Sequence, residues 1–132
     1  MRSKGDRTII VPGHWQAFYD ATNVPAAVQV DSELRVTGHT GEFDDGTISD
    51  DPSTQIRQAF RNVGATIEAA GFDWADVVEL STFHVGLQAQ ADPLLEIAAE
   101  FLPVPFPAWT AVGITELIVP GAVIEIRCVA RR

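Results

Sequence analysis

Ser53–Gly71, STQIRQAFRNVGATIEAAG, is the stretch from which the fold can be read. Ile56, Ala59, Phe60, Val63, Ile67 and Ala70 recur at three- and four-residue spacing. That period lines one side of an α-helix with apolar groups. Gln55, Arg57, Gln58, Arg61 and Asn62 take the other side. The spacing predicts a helix over Ser53–Ala70. Asp51 or Ser53 can cap it, Pro52 suits its first turn, and Gly71 ends it. A helix with a single apolar stripe needs a partner layer, so the flanking segments must supply a sheet.

Upstream, Ala27–Asp31 and Leu34–Gly38 read as two strands of a hairpin around Asp31-Ser32-Glu33. Thr8–Pro12 is a candidate edge strand, and His14–Asn23, which has no clean period, reads as a loop. The acidic run Glu42–Asp51 reads as a solvated loop and lacks the calcium-loop spacing. Downstream, Val77–Val85 is apolar on both faces and so reads as a central strand. A second helix is expected over Asp92–Leu102, then a stiff connection through Pro103, Pro105 and Pro107. Ala108–Leu117 and Ala122–Ala130 are the last strands, joined by a turn at Pro120-Gly121. The order ββαβαββ predicts an α/β (α+β) domain, a mixed sheet with two helices on one face.

The chain has 132 residues, which suits one domain, with residues 1–23 as a less regular extension. Its formal net charge is -9. An acidic domain with scattered basic residues repels phosphate backbones, so no nucleic-acid partner is expected. The N-terminal apolar run ends at Pro12, too short for an export signal, and no stretch is long enough for a membrane helix. The lone cysteine, Cys128, reads as a small buried apolar group and suits a reducing cytoplasm. His14, His39 and His84 show no metal-ligand spacing, and no metal or cofactor is expected.

Strand residues alternate between faces. In the last strand Ile124, Ile126 and Cys128 form the expected core face; Val123, Glu125, Arg127 and Val129 form the other. Trp109, Ala111 and Gly113 are placed with that second set, as are Arg35, Thr37 and His39. Such a half-apolar, half-polar face suits a symmetric subunit interface containing polar clefts. The alternative is a solvated face with a few exposed apolar groups.

Several segments resemble the Rid/YjgF family. They are Thr37-Gly38-His39-Thr40-Gly41, the first helix TQIRQAFRNVGATIEAAG, the central strand DVVELSTF at Asp76–Phe83, PAWTAVGITEL at Pro107–Leu117, and VIEIRCVA at Val123–Ala130. The resemblance spans Val24 to Arg132. It implies a chorismate-mutase-like fold and a homotrimer with clefts between subunits. It also implies hydrolysis of reactive enamines and imines, such as 2-aminoacrylate, to keto acids and ammonia. Other members carry labels as translation inhibitors or endoribonucleases, which the acidic charge argues against here.

Carried over residue by residue, Glu125 matches the family's late glutamate, Gly38 its backbone site and Thr37 its hydroxyl. Trp109 stands where the family has its substrate-binding arginine, and Ala111 where a cysteine is common. The family's tyrosine falls near Ala26 or Ala27. An arginine grips a carboxylate through two parallel charged hydrogen bonds, whereas an indole offers one neutral donor and an apolar face. This departure argues against the 2-aminoacrylate activity itself.

Glu125 and His39 are the candidate acid/base residues. Thr37, Gly38, Trp109, Ala111, Arg35, Arg127 and His84 are the candidate ligand-binding set. Arg35 and Arg127 are possible substitutes for the missing clamp; each could equally be an ion-pair or rim charge. His84 could equally be a satisfied core histidine, and Trp109 an interface packing group. Three functions stay open: a small-molecule hydrolase, a non-catalytic small-molecule-binding trimer and, weakest, a ribonuclease or translation inhibitor.

Overall fold

The computed structural model describes residues 6–132. Its elements are β1 (Arg7–Ile10), a 3-10 turn (Gly13–Trp15), α1 (Gln16–Thr22), β2 (Ala27–Val30), β3 (Glu33–Thr40) and α2 (Pro52–Ala69). After a second 3-10 turn (Trp74–Asp76) come β4 (Val77–His84), α3 (Leu87–Ala98), β5 (Ala108–Gly113) and β6 (Ile124–Arg131).

The α2 helix forms where the apolar period placed it. The Asp51 carboxylate accepts from the Thr54 amide at 3.0 Å and the Thr54 hydroxyl at 2.8 Å, and Pro52 opens the first turn. At the other end Gly71 takes φ +82°. Its amide reaches the Glu68 carbonyl, and the Phe72 amide reaches Ile67, both at 2.9 Å. This left-handed cap satisfies carbonyls that the helix would otherwise orphan.

The six strands run in the order β1-β2-β3-β6-β4-β5. The β4–β5 pair is parallel and the rest are antiparallel. Leu34, Val36, Leu80, Ile124, Ile126 and Cys128 point from the sheet toward α2 and α3. There they meet Ile56, Phe60, Val63, Ile67, Leu94 and Ile97. The mixed sheet with both long helices on one face is as the sequence predicts.

Four local expectations are corrected. Residues 14–23 are not a loop: they hold a 3-10 turn and α1, which has no buried residue and therefore no apolar period to read. α3 starts at Leu87 rather than Asp92, with Pro93 inside it, because Gly86 makes the chain reversal in a left-handed conformation. β5 stops at Gly113 and pairs with β4, while residues 114–123 form a longer connection to β6.

The fourth correction concerns faces. Cross-strand partners share a face. Val36 pairs with Cys128, yet His39 pairs with Ile126, so β3 holds one extra residue around Thr37-Gly38. That bulge switches the parity of the strand. His39 therefore joins the buried helix side, and Arg35 stays on the opposite one. Trp109 pairs with Leu80, and Leu80 with Cys128, so Trp109 also lies on the helix side, opposite Glu125. Ala111 and Gly113 follow Trp109, through Thr82 and His84.

Candidate functional site

The bulge builds the site. Gly38 lies directly against the Glu125 side chain: a Cβ at residue 38 would sit 2.6 Å from its Cδ and 2.7 Å from Oε2. Only glycine lets the carboxylate rest on the strand backbone. Two residues on, Thr40 pairs with Glu125 across the ladder. The chain after Thr40 is held by Asn62 of α2, whose amide nitrogen donates to the Thr40 carbonyl at 2.9 Å and the Glu42 carbonyl at 2.7 Å.

Gln55, in the first turns of α2, ties the loop before the helix to the connection before β6. Its amide nitrogen donates to the carbonyls of Ser49 and Gly121, at 2.7 and 2.9 Å. Its carbonyl accepts from the Val123 amide at 2.8 Å. The approach of residues 40–42 to this turn is close enough that a Cβ at Gly41 would collide with the Gln55 carbonyl oxygen.

The third wall is the segment before β2. The Trp15 indole nitrogen donates to the Val24 carbonyl at 2.8 Å, fixing the ring. The ring lies 4.4 Å from that of His39 and 4.9 Å from that of Phe18. Together these elements enclose a cleft of about 380 Å³ lined by His14, Trp15, Gly38, Glu42, Asn62 and Glu125, among others.

His39 is a strut of this wall. Its Nδ1 lies 2.6 Å from the Thr37 carbonyl, which can only accept, so Nδ1 carries the proton. Its Nε2 then accepts from the Thr66 hydroxyl at 2.8 Å. Burial pushes the ring down to about 4, partly opposed by the Thr37 carbonyl. Both nitrogens are engaged, so a proton-shuttling role would break one of these bonds. His14 is likewise held below its ordinary value by burial, with Asp44 opposing. Glu125 is partly buried, and burial raises its carboxyl above the usual range. Among the described residues its carboxylate makes no ion pair.

The other candidates fall elsewhere. The Thr37 hydroxyl donates to the Pro25 carbonyl at 2.7 Å, bracing the hairpin. On the helix side, the Trp109 indole donates to the Thr82 hydroxyl at 3.0 Å. Thr82 donates to His84 Nε2 at 2.8 Å, and His84 Nδ1 donates to Gln90 Oε1 at 2.8 Å. Each donor has one acceptor, so His84 is the satisfied core histidine and burial lowers its pKa. Ala111 is exposed on β5. Arg35 pairs with Glu33 at 2.8 Å, and Arg127 is exposed on the helix-free face. Neither arginine lines the cleft. Within one chain the structure thus joins Glu125, Gly38 and His39 and holds them apart from Trp109, Ala111 and His84. Sequence reasoning missed Trp15, Phe18, Glu42 and Asn62; the aromatic pair at 15 and 18, one helical turn apart, was the available signal.

Cys128 is buried and its thiol is pushed up to about 12, which makes it a packing group. Among the described residues no helix is long and apolar enough to cross a membrane.

A mixed sheet with both long helices on one face, and a bulged strand whose glycine backs a carboxylate, defines a class of small α+β domains. The chain belongs to the Rid/YjgF family: the family profile described as Endoribonuclease L-PSP matches residues 16–132. It is similar to the RutC family protein YjgH of Escherichia coli, 35% identical over 127 residues covering 96% of this chain and 95% of that protein. It is also similar to the 2-iminobutanoate/2-iminopropanoate deaminase of Dermatophagoides farinae, 29% identical over 83% of this chain and 82% of the other. Among solved structures, YjgH superposes with TM-score 0.86 over 96% of both chains. Rv2704 of Mycobacterium tuberculosis, of the YjgF family, does so with TM-score 0.82 at 28% identity, over 96% of this chain and 99% of that one.

Proposed function

We propose that this protein binds a small metabolite in the cleft beside Gly38 and hydrolyses a C=N bond there, with Glu125 as the acid/base. One observation carries this: a partly buried carboxylate, free of ion pairs among the described residues, faces a cleft large enough for a small metabolite. Imine hydrolysis needs a proton on nitrogen and water at carbon. A carboxyl whose pKa is raised by burial can give the first and assist the second.

The steps balance with Glu125 alone. The Glu125 carboxyl protonates the imine nitrogen, leaving an iminium beside a carboxylate. The carboxylate takes a proton from the water that adds to the carbon. The carbinolamine then expels ammonia as its hydroxyl becomes the carbonyl. Holding the reactants together supplies much of the rate. The deaminase named for Dermatophagoides farinae acts on imines by its name, which supports the reaction class.

His39, locked between Thr37 and Thr66, is a positioning residue in this reading, and Trp109 is a packing group. The working unit is a homotrimer in the cytoplasm. The helix-free face supports that assembly, since it carries Val28, Phe83, Val112 and Val129 beside Glu125. The net charge of -9 weighs against an RNA substrate.

The test is to release imines in situ, 2-aminoacrylate from a dehydratase and an amine-derived imine from a flavin amine oxidase, and follow their decay. The protein accelerates decay of at least one, and Glu125→Gln lowers that rate roughly 10²-fold or more. Decay at the buffer rate for every imine, with ligand still bound, would leave the non-catalytic binder as the correct account.

A further inference from the structure

A backbone carbonyl beside the cleft orders the protons of a row of side chains. The Thr37 carbonyl can only accept, so His39 carries its proton on Nδ1 and offers a lone pair at Nε2. The Thr66 hydroxyl donates its one proton to that lone pair at 2.8 Å. Its oxygen is left able only to accept, and the next group along is His14, whose Nε2 stands 3.5 Å away. A neutral His14 therefore keeps its proton on Nε2, toward Thr66, and its lone pair on Nδ1. Among the described residues Thr66 is the one hydrogen-bond partner of the His14 ring. His14 lines the same cleft as Glu125. Its ring centre lies 6.1 Å from that of His39, which follows Gly38, where the Glu125 carboxylate rests. Every member of the row belongs to one chain, so its order does not depend on what a neighbouring subunit adds to the cleft.

The reaction leaves work for such a base. Once water has added, Glu125 is again a carboxylic acid and the carbinolamine is neutral. Expelling ammonia then takes two transfers, a proton onto nitrogen and a proton off the hydroxyl, and one carboxyl cannot make both at once. We propose that His14 is the second catalytic residue of the cleft: its Nδ1 takes the hydroxyl proton of the carbinolamine as the carbonyl forms. This rests on reading the cleft as the site of imine hydrolysis. Glu125 gives its proton to nitrogen, the C–N bond breaks, and ammonia leaves with the bonding pair. The O–H pair stays with oxygen and closes the carbonyl. The imidazolium then returns its proton to the Glu125 carboxylate through water, and both groups regain their starting forms. Thr66 is a positioning residue: its oxygen accepts from Nε2 of the neutral and the charged ring alike, so the ring need not turn. Burial holds His14 below its ordinary value, with Asp44 opposing, so the ring is a free base at pH 7. The titratable groups that face it are Asp44 and Glu42 from the loop after β3, His39 from β3 and Glu125 from β6.

The test follows whichever imine the wild type hydrolyses, with the whole protein. His14→Gln keeps an N–H for Thr66 and loses the base; it is expected to lower kcat about 10²-fold and leave KM nearly unchanged. Imidazole added to His14→Ala restores part of the rate, as it would not for a residue that only packs. The wild-type rate falls as pH drops below 6.5 and the ring takes a proton, and His14→Gln loses that limb of the profile. Thr66→Ser keeps the rate, whereas Thr66→Val, at a pH where urea melts show it folded, lowers it severalfold. Nitrogen NMR of the ligand-free protein at pH 7 shows His14 protonated at Nε2 and bare at Nδ1. A proton found on Nδ1, or turnover in His14→Gln equal to that of the wild type, overturns the inference while leaving imine hydrolysis in place. Decay at the buffer rate with the wild type removes the hydrolysis itself, and this role with it.

Discussion

Acid should unfold this protein through His39 before it reaches the ordinary carboxylates. The ring is buried and held neutral, at about 4 against its ordinary 6.5. Between those values the unfolded chain binds a proton that the folded one refuses. Stability therefore rises with pH across the window, is complete above 6.5, and is lost as pH falls toward 4. One proton contributes about 1.4 kcal/mol per pH unit, so His39 alone removes about 2 kcal/mol between pH 6.5 and 5. His14 and His84, also lowered by burial, add to the same slope. Glu125 opposes it. Its folded pKa is raised, so its contribution is present below the unfolded value and fades as pH rises through the folded one. Urea melts at half-unit steps from pH 7 to 5 measure the sum, and His39→Gln isolates the residue. The variant starts less stable but loses about one proton's worth of slope. A wild-type free energy flat over this range, or an unchanged slope in His39→Gln, would show that the ring is not held neutral by the fold.

Three further outcomes test the wall of the cleft. Thr66→Val keeps the side chain's shape but leaves His39 Nε2 buried without a donor; urea melts should show a loss of about 1–3 kcal/mol. Gly38→Ala pushes a methyl into Glu125, whose flexible side chain can turn away into the cleft. Its melting temperature should change little while imine hydrolysis falls at least tenfold, an effect of misplacement. Asp51→Ala removes the two bonds that cap α2 and should lower the urea midpoint, with activity intact.

The layers were legible because burial wrote them into the period of the sequence. Ile56, Phe60, Val63 and Ile67 repeat as a helix, and Ile124, Ile126 and Cys128 alternate as a strand. Glu125 and Gly38 could be named early because the resemblance and the strand alternation agreed on them. What stayed hidden depended on a single inserted residue. Counting by twos from Arg35 carries Thr37 and His39 to the same side, and no propensity marks the bulge that intervenes. Trp109 went astray differently. Its strand lies at the sheet's edge beside β4, where Ala108, Thr110 and Val112 are as mixed in polarity as their neighbours, so alternation gave no direction. Only the register with Leu80 fixes it. α1 escaped notice because its seven residues bury no side chain.

Gln55 has a bearing on how a ligand gets in. A single amide grips Ser49, just past the lining residues Phe43, Asp44 and Gly46, and both Gly121 and Val123, just past Ile118 and Val119. Those two margins are lashed to the same post, and neither can swing without wrenching the second. α1 has no such mooring: it leans on His39 through the Trp15 ring and buries nothing of its own. Traffic into the protein should pass there, and amide hydrogen exchange should find residues 13–23 trading protons long before 49–56 do.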